Sequence, residues 1–140
     1  MSTLVKIAVI VIISMFSSTS NAQSTYNLTV KVEEADNNDG KMLIAVYNSE
    51  SDFLDTTYKG TQSTITDNGC VVTFENIPEG IYAVSIFHDE NDNDKLDSNF
   101  IGIPKEDYGC SNNAKGFMGP PKWKDAKFEL KSDKTITITL

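Results

Sequence analysis

The run Asp89-Glu90-Asn91-Asp92-Asn93-Asp94-Lys95-Leu96-Asp97 places oxygen-bearing side chains at alternate positions. With Asp89 as position one of an EF-hand-type loop, Asn91 and Asn93 fall on positions three and five. The backbone carbonyl of Lys95 falls on seven and Asp97 on nine. Calcium takes six to eight hard oxygen ligands at about 2.3–2.6 Å, and a tight loop supplies them from alternate residues. Two positions depart from that pattern. Asp94 stands where glycine makes the sharp turn, although Asp tolerates left-handed geometry, and Phe100 stands where a bidentate Glu closes the site. Further ligands then have to come from Asn99, Glu106, Asp107, Asn112 or Asn113, and a second register uses Asp92, Asp94 and Asp97. Two carboxylates among the ligands predict weak calcium binding, in the roughly 10⁻⁴ to 10⁻³ M range of extracellular modules. The alternative is a solvated acidic turn held by Asx hydrogen bonds.

Other chemistry is sparse. One histidine and two cysteines exclude a zinc cage built from these residues alone. His88 ends an apolar segment beside Asp89 and reads as a strand-end histidine bonded to a loop. With no nucleophile elbow and no second histidine there is no hydrolytic triad, so the chain is not expected to be an enzyme. Cys70 and Cys110 are expected to form a disulfide if the chain is exported.

Export is expected from the N-terminus. Lys6 precedes an apolar run, Ile7–Phe16, followed by small and polar residues up to Ser20-Asn21-Ala22. This is the form of a secretory signal peptide over residues 1–22, cleaved after Ala22. The run is too short for a membrane span, which takes roughly 20 apolar residues. The mature domain, residues 23–140, is therefore expected to be secreted or periplasmic with no membrane span. The formal net charge is −8 and every basic residue is a lysine. That excludes a nucleic-acid binder, which needs a basic face to displace counterions.

The elements that must position these residues are short strands. Tyr26, Leu28, Val30 and Val32 alternate with polar residues, as in a strand buried on one face. Residues 41–48 are apolar on both faces and predict a central strand, and residues 62–66 a short polar one. Residues 70–77 and 81–88 flank Pro78-Glu79-Gly80 and predict a hairpin. Residues 126–130 and 135–140 form the last pair, with Ile136, Ile138 and Leu140 facing inward. The expected fold class is all-β: a single seven-stranded β-sandwich of immunoglobulin or transthyretin type. Residues 89–125 show no periodicity but carry Phe100, Ile101, Ile103, Tyr108, Phe117, Met118 and Trp123. They predict one long ordered loop, because structureless loops longer than about 15 residues are uncommon in compact domains. The Gly116–Trp123 cluster reads as a lid on the sandwich.

The segment His88-Asp89-x-Asn91-x-Asn93-x-x-Leu96-Asp97-x-Asn99-x-x-Gly102-x-Pro104-x-Glu106-x-Tyr108-Gly109-x-Ser111-Asn112-Asn113-Ala114, with Gly119-Pro120-Pro121 after it, resembles an exported bacterial family of unknown function. Pro78-x-Gly80-x-Tyr82-x-Val84 is more distantly similar to the transthyretin-like regulatory domains of carboxypeptidases. The resemblance implies an exported β-sandwich. The family usually has Gly at position 94, Phe at position 110 and no Cys at position 70.

The functional expectation is a monomeric β-sandwich binding module, its loop ordered by calcium, for a protein or carbohydrate partner of unknown identity. The alternatives are a small-ligand carrier with a pocket under the loop and a hydrolase using the loop carboxylates.

Overall fold

A computed structural model describes residues 22–140; the signal segment expected over residues 1–22 lies, Ala22 apart, outside them. Eight strands follow in order: β1 (Thr25–Glu33), β2 (Lys41–Tyr47), β3 (Lys59–Ser63), β4 (Cys70–Pro78), β5 (Gly80–Asp89), β6 (Tyr108–Cys110), β7 (Phe128–Leu130) and β8 (Lys134–Thr139). A 3-10 turn, Ser111–Asn113, and a single-turn helix α1, Trp123–Ala126, lie between β6 and β7. Among the described residues no helix is long and apolar enough to cross a membrane.

The strands make two sheets, β4-β1-β8 and β3-β2-β5-β6, with β7 paired to β5 near the start of that strand. The pairings are antiparallel except β1 with β8, which is parallel. Alternation sets the core. Leu28, Val30 and Val32 of β1 face Met42, Ile44 and Val46 of β2 and Val84 and Ile86 of β5, joined by Ile77 and Ile138, all essentially without exposure. As expected, Ile138 is buried, and Ile136 and Leu140 pack against the core.

Three expectations about the strands change. There are eight strands instead of seven, because residues 108–110 add β6 to the edge of β5. A run of three residues shows no period, so only its tertiary pairing reveals it. The polar strand begins earlier than expected, at Lys59. The hairpin predicted over residues 70–88 is not a hairpin, and the last two strands do not pair with each other. β4 pairs with β1 while β5 pairs with β2, so Pro78–Gly80 carries the chain from one sheet to the other. The segment from β7 to β8 crosses back in the same way. In both cases the apolar faces of successive strands meet across the sandwich. Tyr82 braces the first crossing by donating its hydroxyl to the Pro78 carbonyl at 2.7 Å.

Gly109, paired with Ile86, lies where β6 passes over β8: a Cβ there would sit 2.7 Å from Cγ2 of the buried Ile138. Gly109→Ala is expected to lower the unfolding free energy by about 1–3 kcal/mol, the usual cost of overpacking, read as a lower urea midpoint. At Gly119 an added methyl meets nothing within 4 Å, so Gly119→Ala leaves the midpoint in place.

Candidate functional site: an acidic frame and an apolar cleft

The outward face of the five-stranded sheet changes character along its length. Lys41 pairs in register with Asp89 at one end, Leu43 with Phe87 next, then Ala45 with Ser85, then Tyr47 with Ala83. The face thus runs from charged, through apolar, to aromatic.

At the charged end Asp89 has no exposure. Its Oδ1 accepts the Asn93 N–H at 3.0 Å and its Oδ2 the Asp94 N–H at 2.8 Å. The Lys41 ammonium lies 3.8 Å from Asp89, 3.7 Å from Asp92 and 2.7 Å from Asp94. The hydrogen bond that Lys41 donates to Asp94, with the fields of all three carboxylates, holds the Lys41 pKa above its ordinary value despite partial desolvation. Asp94 adopts the left-handed conformation, φ 62°, that glycine commonly supplies. Glu106, also buried, accepts the Glu90 N–H at 3.1 Å and the Asp97 N–H at 2.9 Å. Two buried carboxylates therefore clasp the loop from opposite sides. Gly40, at φ 63°, lies against this strand end, where a Cβ would fall 1.9 Å from the Asp89 carbonyl oxygen.

The five residues expected to ligate calcium lie on this loop, with their polar groups turned to one another. Asn91 Oδ1 accepts the Asn93 N–H, and Asn93 Oδ1 accepts the Lys95 N–H. The side-chain amides of Asn91 and Asn93 donate to Asp97 Oδ2 at 2.7 and 3.0 Å. Among the described residues no group of three or more His, Cys, Asp or Glu side chains is placed to hold a metal ion. Of the supplementary candidates, only Glu106 joins the loop. Asn99 closes a small hairpin by accepting the Ile101 and Ile103 N–H groups at 3.0 Å each. Asn112 donates to the carbonyls of Asp125 and Lys127, and Asn113 accepts the Thr139 N–H. The buried Ser111 hydroxyl accepts the Val84 N–H and donates to the Ala126 carbonyl. Ser111, Asn112 and Asn113 thus pin the returning chain to the sandwich.

His88 faces the interior, wholly buried, and its Nε2 lies 2.7 Å from the Asp39 carbonyl of the turn before β2. Among the described residues its Nδ1 has no partner. It is a strand-end histidine bonded to a loop, as its position in the chain predicts.

The expected Cys70–Cys110 disulfide is absent, and both thiols are free. Cys70 opens β4 and rests against the main core. Cys110 closes β6, on the outward face beside Ser85, in a separate cluster with Ala83 and Ala126. The two thiols belong to opposite sheets and to different clusters.

The middle of the outward face floors an open cleft of about 1320 Å³, walled by residues from the stretch 96–121. Leu43, Ala45 and Phe87 form the floor; Ile101, Ile103 and Pro104 stand in the walls. The apolar residues of the loop do not all turn inward. Phe100 is 99% exposed, and Phe117 and Met118 are 93% and 94% exposed. Of the expected lid, Pro121 is buried and Trp123 is half-buried, edge-on to Phe53, which meets Tyr47 edge-on in turn. Sequence reasoning offers a pocket under the loop only as an alternative; residues 41–48, apolar on both faces, are the trace of its floor.

A two-layer β-sandwich with a cleft under an acid-framed loop is the class that these features define. Residues 30–139 match the profile of a family described as uncharacterized proteins conserved in bacteria (DUF2141), and the chain belongs to that family. No curated protein and no solved structure matches it.

Burial pushes the Cys110 thiol up from an ordinary 9.0 to about 11. The unfolded thiol ionises first, so this contribution to stability is intact below about pH 9 and is lost as pH rises towards 11. The gap in urea midpoint between the natural chain and Cys110→Ala is expected to narrow between pH 7 and pH 10.5. Ellman titration of the unfolded, never-reduced chain is expected to count two thiols; a count of zero would restore the disulfide.

Proposed function

We propose that this chain is an exported, non-enzymatic binding module whose ligand sits in the cleft on the outward face of the five-stranded sheet. The observation that carries the reading is the cleft itself: about 1320 Å³ of concave, apolar-lined space beside exposed Phe100, Phe117 and Met118. Large apolar concavities with a few polar groups are the usual form of small-molecule sites, and exposed apolar clusters of this kind mark binding surfaces. This favours the carrier form of the reading over a flat protein or carbohydrate platform. Two features weigh against hydrolysis. No carboxylate, histidine or lysine lines the cleft, and the buried Asp89 and Glu106 carboxylates already accept backbone N–H groups. Export rests on the signal-like N-terminus.

A calcium role for the acidic loop is a second reading, and one observation favours it. The amides of Asn91 and Asn93 both direct their N–H donors at Asp97 Oδ2, the position a cation would take among these side chains. Rotating either amide by half a turn presents its carbonyl oxygen to the carboxylate instead, at the loss of the Asn93 or Lys95 N–H bond that this oxygen accepts. That arrangement is repulsive alone and attractive around a hard cation.

The uncharged apolar dye N-phenyl-1-naphthylamine is expected to bind the purified exported chain at about one site with enhanced fluorescence. Ala45→Trp, which fills the floor, is expected to abolish binding without lowering Tm. Absence of a saturable site overturns the cleft reading. Separately, calcium at about ten times its dissociation constant stabilises by about 1.4 kcal/mol, a Tm rise of roughly 6 °C in a domain of this size. That rise is expected near 10 mM calcium, and to be lost in Asp97→Asn. No rise, or an equal rise with magnesium, sinks the calcium reading.

A further inference from the structure

We infer that the cleft takes a small uncharged amphiphile: a long apolar body and one neutral oxygen acceptor, as in a long-chain alcohol or ketone. The inference rests on the binding reading above and names the chemistry of the ligand.

Three observations converge on it. The first is charge. In a chain with net charge −8, none of the residues lining the cleft is charged. An ionised group entering such a lining leaves water and meets no counter-charge, which is strongly unfavourable. The charged cluster at the end of the same face, Lys41 with Asp89, Asp92 and Asp94, is already internally paired. Its residual negative field repels an anionic head group. Its attraction for a cationic one is screened beyond about 8 Å at physiological salt, so desolvation decides against both signs.

The second observation is a pair of hydroxyls. Tyr47 and Ser85 both line the cleft, and their oxygens lie 3.1 Å apart. Tyr47 is 6% exposed. The two groups carry two protons, and their mutual hydrogen bond uses one. The other has no acceptor among the described residues. A ligand carbonyl or hydroxyl oxygen placed beside the pair satisfies it, and the low exposure makes that bond selective.

The third observation disfavours an extended peptide on the floor. The floor is the face of a sheet whose backbone groups are consumed by pairing of β2 with β3 and β5, and of β5 with β6. Extended peptides gain affinity and specificity by completing a ladder at a sheet edge. Over a sheet face their amides would lie against Leu43, Ala45 and Phe87 without partners. A hydrocarbon body has no such groups to satisfy, and the cleft exceeds the roughly 300–1000 Å³ of ordinary ligand pockets.

The test is displacement of bound N-phenyl-1-naphthylamine at neutral pH by 1-dodecanol, 2-dodecanone, dodecanoate and dodecylammonium, each below its aggregation limit. The alcohol and ketone are expected to displace the dye at concentrations at least tenfold lower than either ion. In the Tyr47→Phe, Ser85→Ala double variant the affinity of the ketone is expected to fall about tenfold more than that of the dye. Either ion displacing as well as the alcohol overturns the inference and leaves the binding reading standing. So does an equal affinity of the ketone for both chains, or stronger displacement by an end-blocked apolar peptide. Failure of the dye to bind at all overturns both.

Discussion

Asp89 brings a carboxylate to the end of a central strand and leaves it with no exposure. A charge removed from water must be matched by donors on the spot, and each hydrogen bond to a charged group is worth about 1.5–3 kcal/mol. Here the donors are the Asn93 and Asp94 N–H groups, with the Lys41 ammonium alongside. Those N–H groups belong to the segment leaving β5, so matching the charge and turning the chain are one event. Glu106 repeats the device on the returning segment, taking the N–H groups of Glu90 and Asp97. The small hairpin bearing Phe100, Ile101 and Ile103 springs from this frame, since Lys105 donates to the Asp97 carbonyl and Asn99 closes the tip. The walls of the cleft stand where the two buried carboxylates put them.

Much of the sandwich is legible in the sequence, because a period of two records which side of a strand is buried. Leu28, Val30 and Val32 against Asn27, Thr29 and Lys31 set β1, and Ile136 and Ile138 set β8. The same period is silent about which strand lies alongside. Residues 70–77 and 81–88 carry two apolar faces separated by Pro78-Glu79-Gly80, and a hairpin or a crossing between sheets satisfies that pattern equally. Burial across the sandwich decides it: β4 finds its hydrogen bonds on β1, and β5 on β2. β6 escapes notice for a related reason. Tyr108-Gly109-Cys110 is too short to show a period, and its glycine is required by the approach of Ile138.

The site divides in the same way. Spacing alone locates Asp89, Asn91, Asn93, Lys95 and Asp97 on one tight loop and names Glu106 among its possible partners. Spacing says nothing of the orientation of an amide. The hydrogen bonds from Asn91 and Asn93 to Asp97 become visible only once the loop is closed. Asn112 and Asn113 look like oxygen ligands in the chain, but they serve the backbone of residues 125–127 and 139. The cysteines mislead because pairing by count ignores which sheet and which face each one occupies. The cleft is half written in residues 41–48: a strand apolar on both faces must bury both or offer one. The apolar residues that should cover the second face instead stand out into solvent at positions 100, 117 and 118.

The acidic frame and the apolar cleft are joined by a short path. Asp97 accepts the Asn91 and Asn93 amides on its side chain, while its backbone N–H goes to Glu106 and its carbonyl to Lys105. From there the chain runs directly into Ile101 and Ile103, which wall the cleft. A change in how the side chain of Asp97 is satisfied therefore acts on the base of the hairpin that shapes the cleft. If a cation replaces the amide donors there, its binding and that of a ligand under Ile101 and Ile103 are linked through one hinge, and thermodynamic reciprocity requires each to alter the other by the same factor. The polar clasp and the neutral cleft then divide the work by physics: charge sets the geometry from a distance, while the surface that meets the ligand carries none.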